Sequence, residues 1–450
     1  MFSKVLIANR GEIAVRIIRA CREMGLATVA VCSEADRTAL HAQIADECVC
    51  IGPAPSKDSY LNMSAVLAAC EQTGADAVHP GFGFLSENAY FARLCATCGV
   101  KFVGPSPEAI ELLGNKARAK STMREAGVPV IPGSQGAVAT LEEAQQIAGE
   151  IGFPVMVKAS AGGGGRGIRV AHTPGELENA FSTARQEALA CFGNGDLYLE
   201  KLLVNPRHIE IQVLADEHGH VIHLGERDCS VQRRNQKLLE ECPSPAAVMD
   251  EGLRQRMGEA AKRAVAATGY ANAGTVEFLV DREGNFYFME MNTRIQVEHP
   301  ITELVTGVDI VKSQLAVAQG KPLALRQEDI QMLGHAIECR INAENPAQGF
   351  RPCPGRINAL YMPGGPGVRI DSAVYAGYTI PPWYDSMIAK LIVHAPTRQE
   401  AIMKMRWALA EFLVEGVDTN IDFQLALLHN PEFAAGEYDI GFLDRLMSQG

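Results

Sequence analysis

The sequence predicts a multidomain protein that combines an α/β domain with domains of α+β type. Its 450 residues exceed the size of one ordinary hydrophobic core, so two or three packed domains are expected. The N-terminal part alternates apolar strand-like runs with amphipathic helix-like runs, which is typical of a parallel sheet. The central and C-terminal parts contain many short runs that alternate apolar and polar residues, which is typical of half-buried antiparallel strands.

Residues 1–114 are predicted to form a Rossmann-like domain. KVLIA indicates a buried strand, NRGE a turn, and IAVRIIRACREMG an amphipathic helix that ends at Gly25. Further strands are indicated by ATVAVCS, ADAVH and KFVG. The glycine fingerprint GxGxxG is absent from the first turn, which argues against a dinucleotide-dependent oxidoreductase.

Residues 115–330 are predicted to form a central domain with a mobile, glycine-rich lid at about residues 131–203. The sequence KASAGGGGRG at residues 158–167 places four glycines where consecutive backbone N–H groups can face phosphate oxygens. Its spacing is not that of a P-loop. The segment SPEAIELLGNKARAKSTMREAG is predicted to be helical. One antiparallel sheet is expected from FPVMVKAS, IRVAH, LYLEKLL, HIEIQVLAD and VIHLGERD.

Residues 331–446 are predicted to form a C-terminal β-rich domain. Its strands are indicated by GHAIECRINAE, GRINALY and VRIDSAV, and RQEAIMKMRWALAEFLVEG is predicted to be a helix that packs against them. In the first of these strands Arg340 shares a polar face with Glu338 and Asn342.

Two glutamates on neighbouring strands, GTVEFLV and FYFMEMN, are candidates for a metal site. If residues 282–285 connect the strands, Glu277 lies directly opposite Glu290, and Asn292 lies two positions further along the same face. Facing carboxylates repel unless a cation lies between them, and oxygen ligands favour Mg²⁺. A three- or five-residue connection would put the two carboxylates on opposite faces, and two solvated glutamates on an outer face are the structural alternative.

Two further segments carry polar groups that are candidates for the site, although a lone histidine such as His208 is usually a satisfied surface or core residue. In HIEIQV, one strand face carries His208, Glu210 and Gln212 while the other face is apolar. The run ERDCSVQRRNQK, which ends at Lys237, is interpreted as an anion-binding segment, although a solvated loop is the alternative.

Composition and charge exclude several functions. The net charge of −12, without a polybasic run, argues against binding to nucleic acid. No apolar stretch is long enough to indicate a membrane span, and no secretion signal is apparent. The twelve cysteines are scattered, which favours free thiols in the cytoplasm. Cys95 and Cys98 lie in a helical pattern, so zinc binding is not expected there.

Taken together, these segments resemble the biotin carboxylase family, a branch of the ATP-grasp ligases, over essentially the whole chain. The resemblance rests on motifs that occur in the family's order and spacing: IANRGEIAVRI, HPGFGFLSEN, KASAGGGGRG, EKLLVNPRHIEIQ, ERDCSVQRRNQK, MEMNTRIQVEHPITE and GYTIPPWYDSMIAKL. Two positions depart from some members: Asn235 stands where a histidine can occur, and Ala161 where a fifth glycine can occur.

The resemblance implies a role for each site residue. Glu298 would be the general base, and Arg340 would face biotin; with Lys237 and Arg294 they are the expected catalytic residues. Mg²⁺ or Mn²⁺ would be held by Glu277, Glu290 and Asn292, and bicarbonate by Lys237, Arg294, Gln296 and Val297. ATP would be bound by Lys116, Lys158, Gly164, Gly165, the hinge residues Glu200, Lys201, Leu202 and Leu203, and by His208, Gln232, Asn235, Glu277 and Glu290.

By the same resemblance, ATP and bicarbonate would form carboxyphosphate, and the carboxyl group would pass to biotin on a carrier protein. The expected partners are that carrier, carboxyltransferase subunits and a second copy of the chain, and acetyl-CoA carboxylase in fatty acid synthesis is the expected setting. Three alternatives are another biotin-dependent carboxylase, an ATP-grasp ligase that joins an amine to an acyl phosphate, and a catalytically silent nucleotide-binding subunit.

The sequence Met403-Lys404-Met405 is similar to the biotin attachment motif of carrier domains. In a carrier domain that lysine lies on a tight turn, whereas here the surrounding apolar residues have helical spacing. We therefore predict that Lys404 lies on a helix and that biotin comes on a separate protein.

Overall fold

The structure is a computed structural model that describes residues 2–159, 168–192 and 195–448. Within these residues no helix has both the length and the apolar character needed to cross a membrane. Short 3₁₀ turns lie at Glu34–Asp36, Ser56–Asp58, Gln327–Asp329 and Pro346–Gln348.

The N-terminal part forms a parallel sheet with helices on both faces. Its elements are β1 Lys4–Ile7, α1 Gly11–Glu23, β2 Ala27–Cys32, α2 Leu40–Ile44, β3 Glu47–Cys50, α3 Met63–Thr73, β4 Ala77–His79, α4 Ala89–Thr97 and β5 Lys101–Phe102. The strand order is β3-β2-β1-β4-β5. Side chains of β1 alternate between two apolar cores: Val5 and Ile7 pack against α1, while Leu6 packs towards α3 and α4. The predicted parallel sheet is confirmed, with β3 as an additional edge strand.

Two helices, α5 Pro107–Gly114 and α6 Lys116–Glu125, replace the single helix expected from the sequence. Asn115 interrupts it with an extended backbone (φ −93°, ψ 104°), and its side chain accepts a hydrogen bond from the backbone N–H of Arg118. An asparagine at this capping position satisfies a donor that a helix start leaves free. Lys116 thus becomes the first residue of a new helix.

A small unit follows, with the elements α7 Leu141–Ile151, β6 Val155–Ala159, β7 Ile168–Ala171, α8 Pro174–Phe192 and β8 Leu197–Lys201. Its strands form a separate antiparallel sheet in the order β7-β6-β8, so the expectation of one central sheet is wrong. The reason is that these strands bury their apolar faces in a core of their own, which includes Val155, Phe181 and Leu199. The glycine run, with Gly164 and Gly165, lies outside the described residues.

The central part continues with long antiparallel strands. The elements are β9 Arg207–Ala215, β10 Val221–Arg233, β11 Gln236–Cys242, α9 Glu251–Ala267, β12 Asn272–Val280, β13 Phe286–Asn292, α10 His299–Thr306, α11 Ile310–Ala318 and β14 His335–Asn342. The helix α9 packs on one face of β9 and β10 through apolar residues such as Met257, Ala261 and Val265.

The C-terminal part adds short strands and four helices: β15 Glu344–Asn345, β16 Arg351–Pro352, β17 Gly355–Arg356, β18 Ala359–Tyr361, β19 Val368–Ser372, β20 Thr379–Ile380, β21 Met387–Ala395, α12 Arg398–Glu411, β22 Leu413–Glu415, α13 Ile421–His429, α14 Pro431–Ala435 and α15 Phe442–Ser448. The helix expected to reach Gly416 ends at Glu411, because the next residues pair with β18. Lys404 lies within α12, as predicted.

The central and C-terminal parts share one antiparallel sheet with the strand order β13-β12-β9-β10-β11-β14-β21-β19. The join is the pairing of β11 with β14, in which Glu240 lies opposite Glu338. The predicted fold class is confirmed, with a parallel N-terminal sheet and antiparallel sheets in the rest of the chain. The predicted boundary at residue 330 divides segments that a continuous sheet unites.

Candidate active site

A cavity of about 1010 Å³ lies between the N-terminal loops, the eight-stranded sheet and the C-terminal part. It brings together residues that are far apart in the sequence, including Arg10 and Phe82 from the first domain and Tyr384 from the last. Among the residues predicted for the site, those that line it are Lys116, His208, Gln232, Asn235, Lys237, Glu277, Glu290, Asn292, Arg294, Gln296, Val297 and Arg340.

The hairpin of β12 and β13 places Glu277 directly opposite Glu290, as predicted. The connection was expected to have four residues but has five, residues 281–285, and a regular ladder of this length would have separated the two carboxylates. The pairing begins with Val280 opposite Phe286, and a β-bulge at Met289 then shifts the register by one residue. The bulge therefore restores the facing pair, since one extra residue on a strand reverses the side-chain alternation beyond it.

Glu277 is buried and surrounded by donors. Its Oε1 accepts hydrogen bonds from Asn292 Nδ2 at 2.7 Å, Gln296 Nε2 at 3.0 Å and Lys237 Nζ at 3.1 Å, and its Oε2 lies 3.1 Å from His208 Nε2. Burial opposes its ionisation, but Lys237 and His208 hold the pKa of Glu277 below its usual range. The alternative of two solvated glutamates is therefore wrong for Glu277.

Glu290, by contrast, is 40% exposed at the cavity wall and lies 3.4 Å from Lys116 Nζ. The two facing carboxylates offer oxygen ligands, the kind that Mg²⁺ prefers. Asn292 directs its amide nitrogen to Glu277 and its amide oxygen to Arg294, so its oxygen would have to turn to join them. The residues present thus fit a divalent cation bound between β12 and β13.

Lys237, a largely buried cation of the site, contacts three carboxylates. Its Nζ donates to Glu210 Oε2 at 2.6 Å, to Glu277 Oε1 at 3.1 Å and to Glu298 Oε1 at 2.6 Å. Burial would lower the pKa of Lys237, but the acidic groups around it raise that pKa well above its usual value. Lys237 thus joins the candidate metal ligands to Glu298 through one ammonium group.

Glu298 lies in the turn that precedes α10, and its side chain is fully buried. Its Oε2 accepts a hydrogen bond from Arg340 Nη2 at 2.9 Å, while Arg340 Nε donates to Glu240 at 2.6 Å. Burial opposes ionisation of Glu298, but Lys237 and Arg340 hold its pKa well below its usual value. Glu298 is therefore an ionised carboxylate between two cations.

Arg294 is oriented by one distant glutamate and by two neighbours in its own segment. Its Nε donates to Glu87 Oε2 at 3.0 Å, its Nη1 to Gln296 Oε1 at 2.8 Å and its Nη2 to Asn292 Oδ1 at 3.0 Å. Glu87 also accepts a hydrogen bond from the backbone N–H of Thr293 at 3.0 Å. Glu87 is a site residue with no local signal in the sequence, because it contacts Arg294 across 207 positions.

The carbonyl of Val297 accepts a hydrogen bond from Lys390 Nζ at 2.9 Å. Lys390 is fully buried in β21 and lies 3.1 Å from Glu12 Oε2 in α1. The turn that carries Gln296 and Glu298 is thereby tied to both the first and the last part of the chain. Lys390 is a further residue without a predicted role. The available signal was its position within an apolar, strand-like run, where a lysine needs a buried acidic partner.

The segment interpreted as an anion-binding run or a solvated loop is the strand β10, a tight turn and the start of β11. Within it Arg227 is fully buried: its Nε donates to Glu210 Oε1 at 2.6 Å and its Nη1 to Gln212 Oε1 at 2.8 Å. The polar face predicted for HIEIQV therefore exists, but it is a buried layer of ion pairs beneath the cavity. Glu210 and Arg227 are therefore additional site residues, whose pairing is not apparent from either segment alone.

Asn235 occupies the second position of the two-residue turn between β10 and β11. Arg234 and Asn235 have φ values of +49° and +64°, as in the hairpin turns that match the twist of antiparallel strands. Asparagine tolerates this left-handed conformation better than most residues. The asparagine thus suits the local backbone while its side chain lines the cavity.

Lys158 and the hinge predicted for ATP binding lie in and just after the small unit, and they are not among the residues that line the cavity. Lys158 and Lys120 both form ion pairs with Glu200. Lys201 Nζ donates instead to the carbonyls of Gly152 and Phe153, at 3.0 and 2.7 Å. The next residues, Leu202 and Leu203, connect β8 to β9.

Comparison with known proteins identifies the family. Residues 1–110 match the biotin carboxylase N-terminal domain, residues 115–326 the ATP-binding domain of the carbamoyl-phosphate synthase L chain, and residues 338–445 the biotin carboxylase C-terminal domain.

Full-length relatives agree. Biotin carboxylase 1 of Bacillus subtilis is 59% identical over 99% of this chain and 98% of its own. A pyruvate carboxylase subunit of Methanothermobacter thermautotrophicus is 55% identical over 99% of this chain and 90% of its own. The biotin carboxylase domain dimer of Hydrogenobacter thermophilus 2-oxoglutarate carboxylase, solved with MgADP, ADP and bicarbonate, is 51% identical and superposes with a TM-score of 0.88 over 99% of this chain and 98% of that one. This chain, with its paired glutamates and its lysine-linked carboxylates, belongs to the biotin carboxylase family.

Proposed function

We propose that this chain uses ATP and bicarbonate to carboxylate biotin on a separate carrier protein, as the first half-reaction of an acetyl-CoA carboxylase in fatty acid synthesis. One observation carries the proposal: Lys237 Nζ lies within 3.1 Å of both Glu277, a candidate metal ligand, and Glu298, the candidate base. Lys237, which would bind the bicarbonate anion, thus contacts both the candidate metal ligand Glu277 and the candidate base Glu298. Pyruvate and 2-oxoglutarate carboxylases are the alternative setting, since proteins of both names are similar to the chain.

ATP is assigned to the side of the cavity next to the small unit. Lys116, Lys158 and the glycines Gly164 and Gly165 would contact its phosphates, while the hinge residues Glu200, Lys201, Leu202 and Leu203 would hold the adenine. The rest of the nucleotide would contact His208, Gln232 and Asn235. Glu277, Glu290 and Asn292 would bind Mg²⁺, whose charge offsets the negative charge of the transferring phosphoryl group.

Bicarbonate is assigned to Lys237, Arg294 and the turn residues Gln296 and Val297. Glu298 is the proposed base that removes its proton. The free enzyme holds the pKa of Glu298 low because Lys237 and Arg340 face it. An anion bound to Lys237 offsets part of that positive charge, so bicarbonate itself would make Glu298 a stronger base.

The deprotonated bicarbonate oxygen would attack the γ-phosphorus of ATP, forming carboxyphosphate and releasing ADP. Carboxyphosphate would break down to CO₂ and phosphate, and the phosphate would take the proton from the ureido nitrogen of biotin. The guanidinium of Arg340 would stabilise the enolate-like oxygen of the ureido group, and the deprotonated nitrogen would attack CO₂ to form the N–C bond of carboxybiotin. A closed lid would keep water from the labile intermediate.

We propose that biotin is supplied on another protein. Lys404 lies within α12 rather than on a tight turn, and its Nζ donates to the carbonyls of Pro366 and His394, at 2.9 and 2.7 Å. A lysine with both contacts is a poor substrate for biotin ligase. The expected partners are therefore a biotin carboxyl carrier protein and carboxyltransferase subunits.

A cytoplasmic homodimer is the proposed state of the chain. The described cysteines are free, in keeping with a reducing compartment, and the similar domain of 2-oxoglutarate carboxylase is a dimer. Sedimentation at micromolar concentration would show a monomer if the dimer proposal is wrong.

The test is ATP hydrolysis by the purified chain with and without bicarbonate and free biotin. We expect bicarbonate-dependent hydrolysis that free biotin stimulates, which an amine ligase or a silent subunit would not give. The acceptor is then tested by adding a biotinylated carrier with carboxyltransferases of the acetyl-CoA or the pyruvate type. Malonyl-CoA formed only with the first set supports the acetyl-CoA role, and oxaloacetate formed only with the second refutes it.

A further inference from the structure

Two thiols face each other at the outer edge of the N-terminal sheet, and neither is among the residues that line the candidate active site. Cys32 ends β2 and Cys48 lies on β3, and their Sγ atoms are 3.6 Å apart. A third thiol, Cys50, lies on the same sheet face, since the register pairs Cys32 with Cys50 and Ala30 with Cys48. We propose that Cys32 and Cys48 form a reversible disulfide when the enzyme meets a hydroperoxide.

The two thiols differ in their exposure to solvent, and this difference indicates which of them reacts with the peroxide first. Cys48 is exposed on an edge strand, whereas Cys32 is only 3% exposed. The hydrogen bond with Cys32 lowers the pKa of the Cys48 thiol, an effect that the nearby Arg37 reinforces and that burial and Cys50 oppose. Thiolate character and access together decide which cysteine reacts first. Cys48 is therefore the attacking thiol and Cys32 the thiol that resolves its oxidised form.

The reaction has two balanced steps. The Cys48 thiolate attacks the peroxide, so that an S–O bond forms and the O–O bond breaks, giving sulfenic acid and, after protonation, water or an alcohol. The Cys32 sulfur then attacks the sulfenic sulfur, so that the S–S bond forms and the S–O bond breaks, releasing a second water with the proton of Cys32. The two thiols supply the two electrons that the peroxide accepts, and a dithiol reductant reverses the change.

The edge position of β3 makes the closure feasible. A disulfide needs its sulfurs at about 2 Å, so the two atoms must approach by roughly 1.5 Å. In the described sheet β3 has four residues and pairs with β2 alone. The movement can therefore fall on the edge strand, without displacing the central strands.

The end of β2 is connected to the cavity wall. Ser33, which follows Cys32, has its Oγ 2.5 Å from the hydroxyl of Tyr384, and Tyr384 lines the cavity beside Arg10. The Arg10 guanidinium carbon lies 4.1 Å from the centre of the Tyr384 ring. We therefore expect the disulfide to lower activity by displacing Ser33. This effect on activity rests on the proposed function, whereas formation of the disulfide is independent of it.

The disulfide is tested by treating the purified chain with hydrogen peroxide, blocking free thiols and digesting with trypsin. Cys32 lies in the tryptic peptide 23–37, and Cys48 and Cys50 lie in the peptide 38–57. We expect the two peptides to be linked in the wild type and in Cys50→Ser, and unlinked in Cys48→Ser and Cys32→Ser. A linked pair in Cys48→Ser, or none in the wild type, would overturn the proposal.

The effect on the enzyme is measured as bicarbonate-dependent ATP hydrolysis before oxidation, after oxidation and after dithiothreitol. We expect a several-fold loss in the wild type that dithiothreitol restores, and little loss in Cys48→Ser. Equal losses in both proteins would assign the inactivation to another thiol, such as Cys229, which lies 3.7 Å from Glu298, and would remove the regulatory role. A chain without activity before oxidation would count against the proposed function alone, because the peptide map does not depend on it.

Discussion

The side chain of Glu298 is held between Lys237 Nζ, 2.6 Å from its Oε1, and Arg340 Nη2, 2.9 Å from its Oε2. Both cations also contact other carboxylates, so each keeps an acidic partner when one member of the group is neutralised. Removing one member should therefore change the chemistry more than the fold.

Glu298→Gln should retain the fold and ATP binding but lose most bicarbonate-dependent turnover. Glutamine keeps the size and one acceptor oxygen, whereas it cannot accept the proton of bicarbonate. Loss of a general base costs roughly 10²- to 10⁴-fold in kcat. The measurement is steady-state ATP hydrolysis, with nucleotide affinity by calorimetry as the control for folding. Near-normal turnover would remove Glu298 from the role of base.

Glu290→Gln should raise the Mg²⁺ concentration needed for half-maximal activity. The substitution removes the charge of one of two facing carboxylates while leaving the strand pairing intact. Glu283→Gln, an exposed position in the turn of the same hairpin, is the matched control. If both variants give the wild-type Mg²⁺ titration, Glu290 is not a metal ligand.

Glu87→Gln should weaken bicarbonate binding by releasing Arg294. Hydrogen bonds to charged groups contribute about 1.5–3 kcal/mol when buried. Because the Glu87 side chain is 41% exposed, we expect the KM for bicarbonate to rise by only roughly three- to tenfold, with a smaller change in kcat. Glu71→Gln on the exposed face of α3 is the control. A fall in kcat at unchanged KM would contradict this positioning role.

Glu241→Gln should destabilise the protein in a manner that depends on pH. Burial would raise the pKa of Glu241, but His335 and Arg398 lower it to about 2. The pKa is thus depressed in the folded state, so the stabilisation is complete above the unfolded value near 4.5 and is lost as the pH falls towards 2. The shift corresponds to a free energy of about 3 kcal/mol.

Thermal unfolding at pH 7, 5 and 4 tests this. The difference in Tm between the wild type and Glu241→Gln should be large at pH 7 and 5 and should shrink at pH 4. The exposed Glu415→Gln should show no difference. If the difference in Tm is the same at all three pH values, the charge of Glu241 does not cause the destabilisation.

The facing pair of Glu277 and Glu290 could be predicted from the sequence, but the strand geometry that produces it could not. Counting residues across the hairpin identified the pair, yet the connection has one residue more than the count assumed. The bulge at Met289 restores the register, and no residue pattern in FYFMEMN distinguishes a bulged strand from a regular one. The prediction was right because two deviations cancel.

Other features depend on contacts that a local pattern does not contain. Alternation in HIEIQV correctly predicts which side chains share a face, but a polar face is ordinarily solvated. The structure buries it because Arg227 and Lys237 neutralise Glu210, a compensation that requires the neighbouring strands. Likewise, Glu87 reaches Arg294 only after two distant segments have folded together.

Because β11 pairs with β14, dividing the chain between these two strands should disrupt the shared sheet. Separating it near residue 330 would expose two long strand edges, with a row of unpaired backbone donors and acceptors on each. It would also part Arg340 from Glu240 and Glu298. Fragments 1–330 and 331–450 expressed separately should therefore aggregate, whereas coexpressed fragments should associate, since each edge is the natural complement of the other. We therefore expect the central and C-terminal segments, which share one sheet, to fold as one unit.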